Sequence, residues 1–321
     1  MSTDNTITMA PCTEARMERN ALAYAAGEPL PRTLCPEGTL GHLLLRAARR
    51  RGRGITFILD GEGQIRLGYA EVLMQARRCL GYLGRAGLTR GDKAILVFRE
   101  NRDFVITFWA CVLGGIVPVP VVYPASLAQD SHALSKLRAV WEQLGRPKLL
   151  TDHRFMERLP EIERLLEVSD LPALTATESE WSETRPARAA LAGPDDLAFI
   201  QFSSGSTGEP KGVMLTHRNL LSNIEAIILR MGVRKEERFL SWMPYHHDMG
   251  LIGFHLTPLA IRCDQVNLSP FKFVLEPPLW FELVHRHRVT VTGSPNFGYR
   301  LLLDKLQDEQ LGRWDLRCLR P

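Results

Sequence analysis

Cysteine is sparse and scattered. The six residues Cys12, Cys35, Cys79, Cys111, Cys263 and Cys318 form no CxxC pair in a chain of 321 residues, which argues against a zinc site and a disulfide framework and favours a reducing, cytoplasmic setting. Charge of one sign is also lacking. A formal net charge of +4 is small for this length, so nucleic acid is not an expected partner. The opening stretch MSTDNTITMAPCTEARMERN has neither a basic n-region nor an apolar h-region, so it does not read as a signal peptide. Long apolar runs are few. Phe104 to Gln129 is free of charged residues, a length that can span a bilayer. But Gly114, Gly115, Pro118 and Pro120 interrupt it. The segment reads as a buried helix over Phe104 to Leu113 and a short strand over Ile116 to Val122, and no integral membrane segment is expected. No internal repeat is visible.

What is present is ordinary globular composition, with 45% hydrophobic and 24% charged residues, arranged as alternating strands and helices. Helical periodicity marks Leu40 to Arg50 and Tyr69 to Arg85, and a hairpin pattern marks Ile55 to Leu59 with Gln64 to Leu67 around Asp60-Gly61-Glu62-Gly63. Arg46, Arg49, Arg50, Arg51 and Arg53 read as a solvated helix C-terminus, where cations suit the dipole. Strands are expected at Ala94 to Phe98, Lys148 to Thr151, Phe239 to Met243, Gln265 to Leu268 and Val289 to Thr292. Helices are expected at Leu134 to Leu144, from the Thr216 cap to Met231, at Pro278 to His287 and at Asn296 to Leu306. The fold class this implies is α/β, a layered αβα arrangement with largely parallel sheets. Residues 1–36 read as a lead-in. A domain over 37–321 follows, in a first half at 37–185 and a second at 190–321, with Asp170 to Pro194 as a polar surface connection.

The second half opens on LAFIQFSSGSTGEPKGVMLTH, Leu197 to His217. An apolar strand runs into Ser203, Ser204, Gly205, Ser206, Thr207, Gly208, Glu209 and Pro210, then Lys211 and Gly212, and a second apolar segment. Glycines let backbone N–H groups approach an anion, hydroxyls add donors, and Lys211 adds a point charge. A Walker loop needs Gly-Lys-Ser/Thr opening a helix. Here Pro210 precedes the lysine and a strand follows it, so the loop belongs to a hairpin.

Two further segments end strands in the same manner. SWMPYHHDMGLIG places His246, His247 and Asp248 after Pro244. Adjacent side chains in extended chain point apart and chelate one ion poorly, so a substrate-site histidine is favoured over a metal ligand. VTVTGSPNFGY ends a strand in a Gly293-Ser294-Pro295 turn, and Asn296 and Phe297 open a helix whose N-terminus can face an anion or a base edge.

Together these segments resemble the signatures of the adenylate-forming, AMP-binding superfamily: acyl-CoA synthetases, fatty acyl-AMP ligases and the adenylation domains of peptide synthetases. Arg66 to Glu71 and Gly114 to Pro120 resemble its early structural motifs, so the resemblance runs from roughly Thr39 to the end. His247 followed by Asp248, Met249 and Gly250 is closest to the fatty acyl-AMP ligases and acyl-CoA synthetases, with His246 where those ligases more often carry tyrosine.

The resemblance implies ATP and Mg²⁺ as cofactors. Ser204, Gly205, Ser206, Thr207, Gly208 and Lys211 would bind the phosphates, with Thr207 toward the metal. His247 would be the catalytic residue that helps place the carboxylate. Asp248, Gly293, Asn296 and Phe297 would form the substrate and nucleotide wall. The apolar content around Phe254, Leu256 and Phe273 suits a fatty chain, although such residues are more often core. The implied reaction turns a carboxylic acid and ATP into acyl-AMP and pyrophosphate, for transfer to an acyl carrier protein or CoA thiol. The family's acidic Mg²⁺-binding motif, ribose-binding aspartate and C-terminal lid domain with its lysine have no counterpart before Pro321. The expectation is therefore an incomplete large N-terminal domain with little activity alone. Amino-acid adenylation, which calls for an acidic residue facing the substrate ammonium, and non-catalytic nucleotide binding are the alternatives.

Overall fold

The computed structural model describes residues 38–61, 63–128, 131–204, 210–307 and 312–320, with only the backbone of Ser204. Helix α1 (Leu40–Ala48) starts at Thr39, whose side chain accepts from His42 N. Strands β1 (Gly54–Ile58) and β2 (Gln64–Gly68) form the expected antiparallel hairpin, with Ile55 opposite Leu67. Helix α2 (Tyr69–Arg85) buries Tyr69, Val72, Ala76, Leu80 and Leu83, the i, i+3, i+4 stripe that the sequence displays.

Next come β3 (Lys93–Val97), α3 (Asn101–Gly114), β4 (Val117–Pro120), α4 (His132–Gln143) and β5 (Lys148–Thr151). Helix α3 is buried on every side from Phe104 to Gly114, which is why its sequence is uncharged rather than amphipathic. Gly115, left-handed at φ +67°, ends it, and the chain turns directly into β4. No helix among the described residues is long and apolar enough to cross a membrane.

Short helices α5 (His153–Glu157) and α6 (Leu159–Leu166) lead to β6 (Ala173–Thr175) and α7 (Glu178–Trp181). This corrects the reading of 170–194 as a mere surface connection. β6 is hydrogen-bonded in parallel to β5, and Trp181 is fully buried, its indole donating to the Ala176 carbonyl at 3.3 Å. One tryptophan supplies the buried area that the polar composition conceals. The sheet order is β4-β3-β5-β6, all parallel.

Strands β7 (Leu197–Ser204) and β8 (Pro210–Thr216) form an antiparallel hairpin of their own. Helix α8 (His217–Met231) then begins in a capping box: Thr216 Oγ1 accepts from Asn219 N at 3.2 Å, and Asn219 Oδ1 from Thr216 N at 3.1 Å. Such caps contribute about 1 kcal/mol. The remainder is β9 (Arg238–Ser241), a wide-turned π-helix at Met249–Leu256, α9 (Thr257–Ala260), β10 (Asp264–Leu268), α10 (Pro270–Leu275), α11 (Leu279–His287), β11 (Val291–Thr292) and α12 (Asn296–Lys305).

The third sheet has the order β11-β9-β10-β1-β2 and is parallel except for β2. The early hairpin thus completes a sheet otherwise made by the second half of the chain. Arg53 belongs to that junction, not to a solvated helix end. It pairs with Asp264 at 2.9 Å, and Arg66 meets the same carboxylate at 3.1 Å. Leu256 and Phe273 are fully buried, and Phe273 stacks on Trp242 with ring centres 3.9 Å apart. They are core, not the wall of a fatty-chain site.

Candidate active site

The hairpin sorts its side chains by face. Ile200 and Phe202 are buried against the β4-β3-β5-β6 sheet side. Gln201 and Ser203 alternate with them onto the other face, where Gln201 lies opposite Val213 and Ser203 opposite Lys211. That face lines a cleft of about 600 Å³ whose other walls are Asn219 and Asn223 of α8, Ile252 of the π-helix, and His246, His247 and Asp248. Lys211 and Ser203 are exposed. Gly205, Ser206, Thr207 and Gly208 lie outside the described residues; of the residues flanking them, Ser203 lines the cleft and Lys211 is its cross-strand partner.

The His246–Asp248 turn leaves the carboxyl end of β9, and the Gly293–Phe297 turn leaves the carboxyl end of its parallel neighbour β11, with Thr292 beside Leu240. Parallel pairing delivers both turns to the same sheet edge, where ligands bind in open α/β sheets. Gln201 Nε2 donates to the His246 carbonyl at 3.2 Å, tying the hairpin to this turn. Gly250 makes the turn possible. A Cβ there would lie 2.4 Å from the Pro244 carbonyl oxygen and 2.8 Å from that of Met243.

His247 is exposed, with Nδ1 2.8 Å from Asp248 Oδ1. Asp248 Oδ1 also accepts from Met249 N at 2.7 Å, which ties one carboxylate oxygen to its own turn. His246 is partly buried. Desolvation, with lesser contributions from Lys136 and His247, lowers its pKa to about 4, which keeps the ring neutral at physiological pH. Gly293 packs toward Phe254 and Met249 of the π-helix. Asn296 and Phe297 open α12 as expected. Both are exposed, and Phe297 sets its ring edge-on to Trp242 at 5.6 Å.

Sequence reasoning missed four features. Lys136 of α4 enters the cleft and donates to the Phe202 carbonyl at 3.3 Å. Gln201 was legible as a lone amide inside an apolar strand. A second cavity of about 400 Å³ opens on the other side of His246, lined by Phe98, Phe104, Val121, Tyr123, Tyr245 and Phe271 among others. Its walls come from four separate chain segments, so no local pattern announces it.

The fourth feature is a buried polar chain that anchors the π-helix. Trp109 Nε1 donates to His255 Nε2 at 2.9 Å, so the His255 proton sits on Nδ1 and is given to Gln265 Oε1 at 2.9 Å. Gln265 Nε2 donates to Tyr69 Oη at 2.9 Å, and that hydroxyl to the Cys263 carbonyl at 2.5 Å. Every polar group in it is satisfied, as a buried network requires.

The family model described as "AMP-binding enzyme" matches residues 44–319, which takes in the whole of this cleft. The chain belongs to the AMP-binding enzyme family. Among relatives of this AMP-binding chain, JamA of Moorena producens, a medium-chain-fatty-acid–[acyl-carrier-protein] ligase, is 28% identical, over 84% of this chain and 45% of its own length. Among solved structures, the adenylation domain of a keto acid-selecting peptide synthetase module, bound to keto acyl adenylate, superposes with a TM-score of 0.83 at 30% identity, over 90% of this chain and 52% of its own. A structure from a study of fatty acyl-adenylate ligases of E. coli and L. pneumophila gives 0.77 at 30% identity, over 88% and 51%. The chain spans about half the length of the curated relatives it matches.

Within the AMP-binding chain, the described residues hold no group of three His, Cys, Asp or Glu side chains able to bind a metal ion. The described polar groups at the cleft, the Asp248 carboxylate, the Ser203 hydroxyl and the Lys136 ammonium, suit a cation that arrives with a polyphosphate and keeps most of its ligands from phosphate and water.

Proposed function

We propose that this chain forms the ATP-binding part of an enzyme that activates a carboxylic acid, a fatty acid, as acyl-AMP, for transfer to the thiol of an acyl carrier protein or CoA. The observation that carries the reading is the Gln201–His246 bond. It joins a Ser/Gly-loop hairpin bearing Lys211 to the turn bearing His247 around one cleft. In the reaction a carboxylate oxygen attacks the α-phosphorus, the bond from that phosphorus to the bridging oxygen breaks, and pyrophosphate leaves with the electron pair. The nucleophile is already an anion, so no general base is needed. Positioning and charge neutralisation carry the catalysis.

Lys211 and the hydroxyls from Ser204 to Thr207 would hold the β- and γ-phosphates, and His247 would orient the carboxylate. Thr207 would share a Mg²⁺ ion carried by the nucleotide, which supplies neutralisation of phosphate charge. The apolar cavity beyond His246 suits a hydrocarbon chain in size and lining. The free, buried thiols of Cys79, Cys111 and Cys263 suit a cytoplasmic setting.

The Met249-Gly250 context of Asp248, which resembles that of fatty acyl-AMP ligases, supports an acid without an ammonium group. Two solved neighbours of like similarity, a keto acid-selecting module bound to keto acyl adenylate and McyG bound to phenylalanyl-adenylate, keep 2-keto acids and amino acids as the alternative substrate classes. Calorimetric titration with Mg·ATP tests the reading. The chain should bind, and Lys211→Ala should bind at least about tenfold more weakly, a loss of about 1.4 kcal/mol. Absence of ATP binding by the unaltered chain defeats it. Titrating octanoate, a 2-keto acid and an amino acid in the presence of a non-hydrolysable ATP analogue separates the substrate classes.

A further inference from the structure

Lys136 stands out among the cations of the molecule. It comes from α4, in the first half of the chain, yet its ammonium reaches the phosphate hairpin of the second half. There Nζ donates to the Phe202 carbonyl at 3.3 Å, one residue before Ser203. That is one neutral acceptor for three donors. Among the described residues no carboxylate lies within ion-pair distance of it. Asp248, the acid lining the same cleft, is held by its own turn. Partial burial without a counter-ion lowers the pKa of Lys136. A desolvated cation facing a cleft is costly to maintain unless an anion completes it.

An ordinary explanation is a lysine laying its stem along the surface with its head in water. The geometry differs from that. The head is directed inward at a strand carbonyl, and it is close enough to His246 to contribute to keeping that ring neutral.

We propose that Lys136 is a second lysine of the anion site, meeting a phosphate oxygen of the nucleotide from the α4 side while Lys211 meets the phosphates from the hairpin. The inference rests on the ATP-binding reading above and extends it to a residue outside every motif of the sequence. It also assigns a role to the packing of α4 against the hairpin: the first half of the chain supplies charge, not only support.

The test compares Lys136→Gln, Lys136→Arg and Lys211→Ala by calorimetry with Mg·pyrophosphate, Mg·ATP and octanoate, after thermal melts establish that each variant is folded. Lys136→Gln should weaken pyrophosphate and ATP about tenfold, with a shallower salt dependence. Lys136→Arg, which keeps the charge, should stay within about threefold of the unaltered chain. Pyrophosphate affinity unchanged in Lys136→Gln while Lys211→Ala loses it overturns this inference and leaves the ATP-binding reading intact. A loss confined to octanoate overturns the phosphate assignment in favour of the substrate carboxylate. No pyrophosphate or ATP binding by the unaltered chain overturns the ATP-binding reading, and this inference with it.

Discussion

Gln201 reaches out of an apolar strand to hold the His246 carbonyl at 3.2 Å, which ties the hairpin that would grip phosphate directly to the turn that carries His247. Replacing Gln201 by Leu keeps the volume and removes the donor. A net hydrogen bond is worth about 1 kcal/mol. The unfolding free energy should fall by that amount, with a lower denaturant midpoint, and ATP affinity should fall about threefold or more as the turn loosens. A midpoint and an affinity equal to those of the unaltered chain would show that the two elements are independent.

Gly250 is closed in by backbone. Gly250→Ala places a methyl group 2.4 Å from the Pro244 carbonyl oxygen, so backbone must move. A loss of about 1–3 kcal/mol is expected, larger than at Gly84, where a Cβ meets nothing within 4 Å. Equal melting temperatures for Gly250→Ala and Gly84→Ala would contradict the model of a closely seated turn.

His255 should make the fold acid-sensitive. Burial lowers its pKa from the ordinary 6.5 to about 4. The unfolded chain therefore binds the proton first, and the contribution is present above pH 6.5 and lost as pH falls toward 4. The full span corresponds to about 3 kcal/mol as an upper figure. His255→Gln should be less stable at pH 7, since the Trp109 bond is altered, but its stability should fall less steeply from pH 6.5 to 4. Urea unfolding at several pH values reads the slope, and parallel curves for the two proteins would refute the assignment.

Glu100 has the opposite sign. Burial, with help from Asp60 and Asp103, raises its pKa to about 7. The neutral form is favoured in the fold, so its contribution is complete below pH 4.5 and is lost as pH rises through 7. Glu100→Gln should melt at a higher temperature than the unaltered chain at pH 8, the difference shrinking toward pH 4.5. A destabilised variant at pH 8 would mean that the ionised carboxylate is used.

Most of the architecture is legible in the chain itself because it is written locally. The α2 stripe, the Thr216 cap, the Gly115 stop and the β1–β2 turn each act within a few residues. Trp181 and β6 escaped because a polar composition can carry one large buried side chain. For Leu256 and Phe273 the structure chose core over chain site, a choice that hydrophobicity alone does not make.

For the site, the sequence by itself determined the residue kinds: a Ser/Gly loop with Lys211, a histidine turn and a strand–turn–helix corner, each a chemistry fixed by a contiguous segment. Only the tertiary structure decided their assembly. Parallel pairing of β9 with β11 puts the two turns at one edge. Gln201 fastens the hairpin to His246, and α4 brings Lys136 to Phe202 from 66 residues away. Contacts at such separation depend on which faces of sheets and helices pack together, and packing is a property of the whole chain rather than of any segment in it.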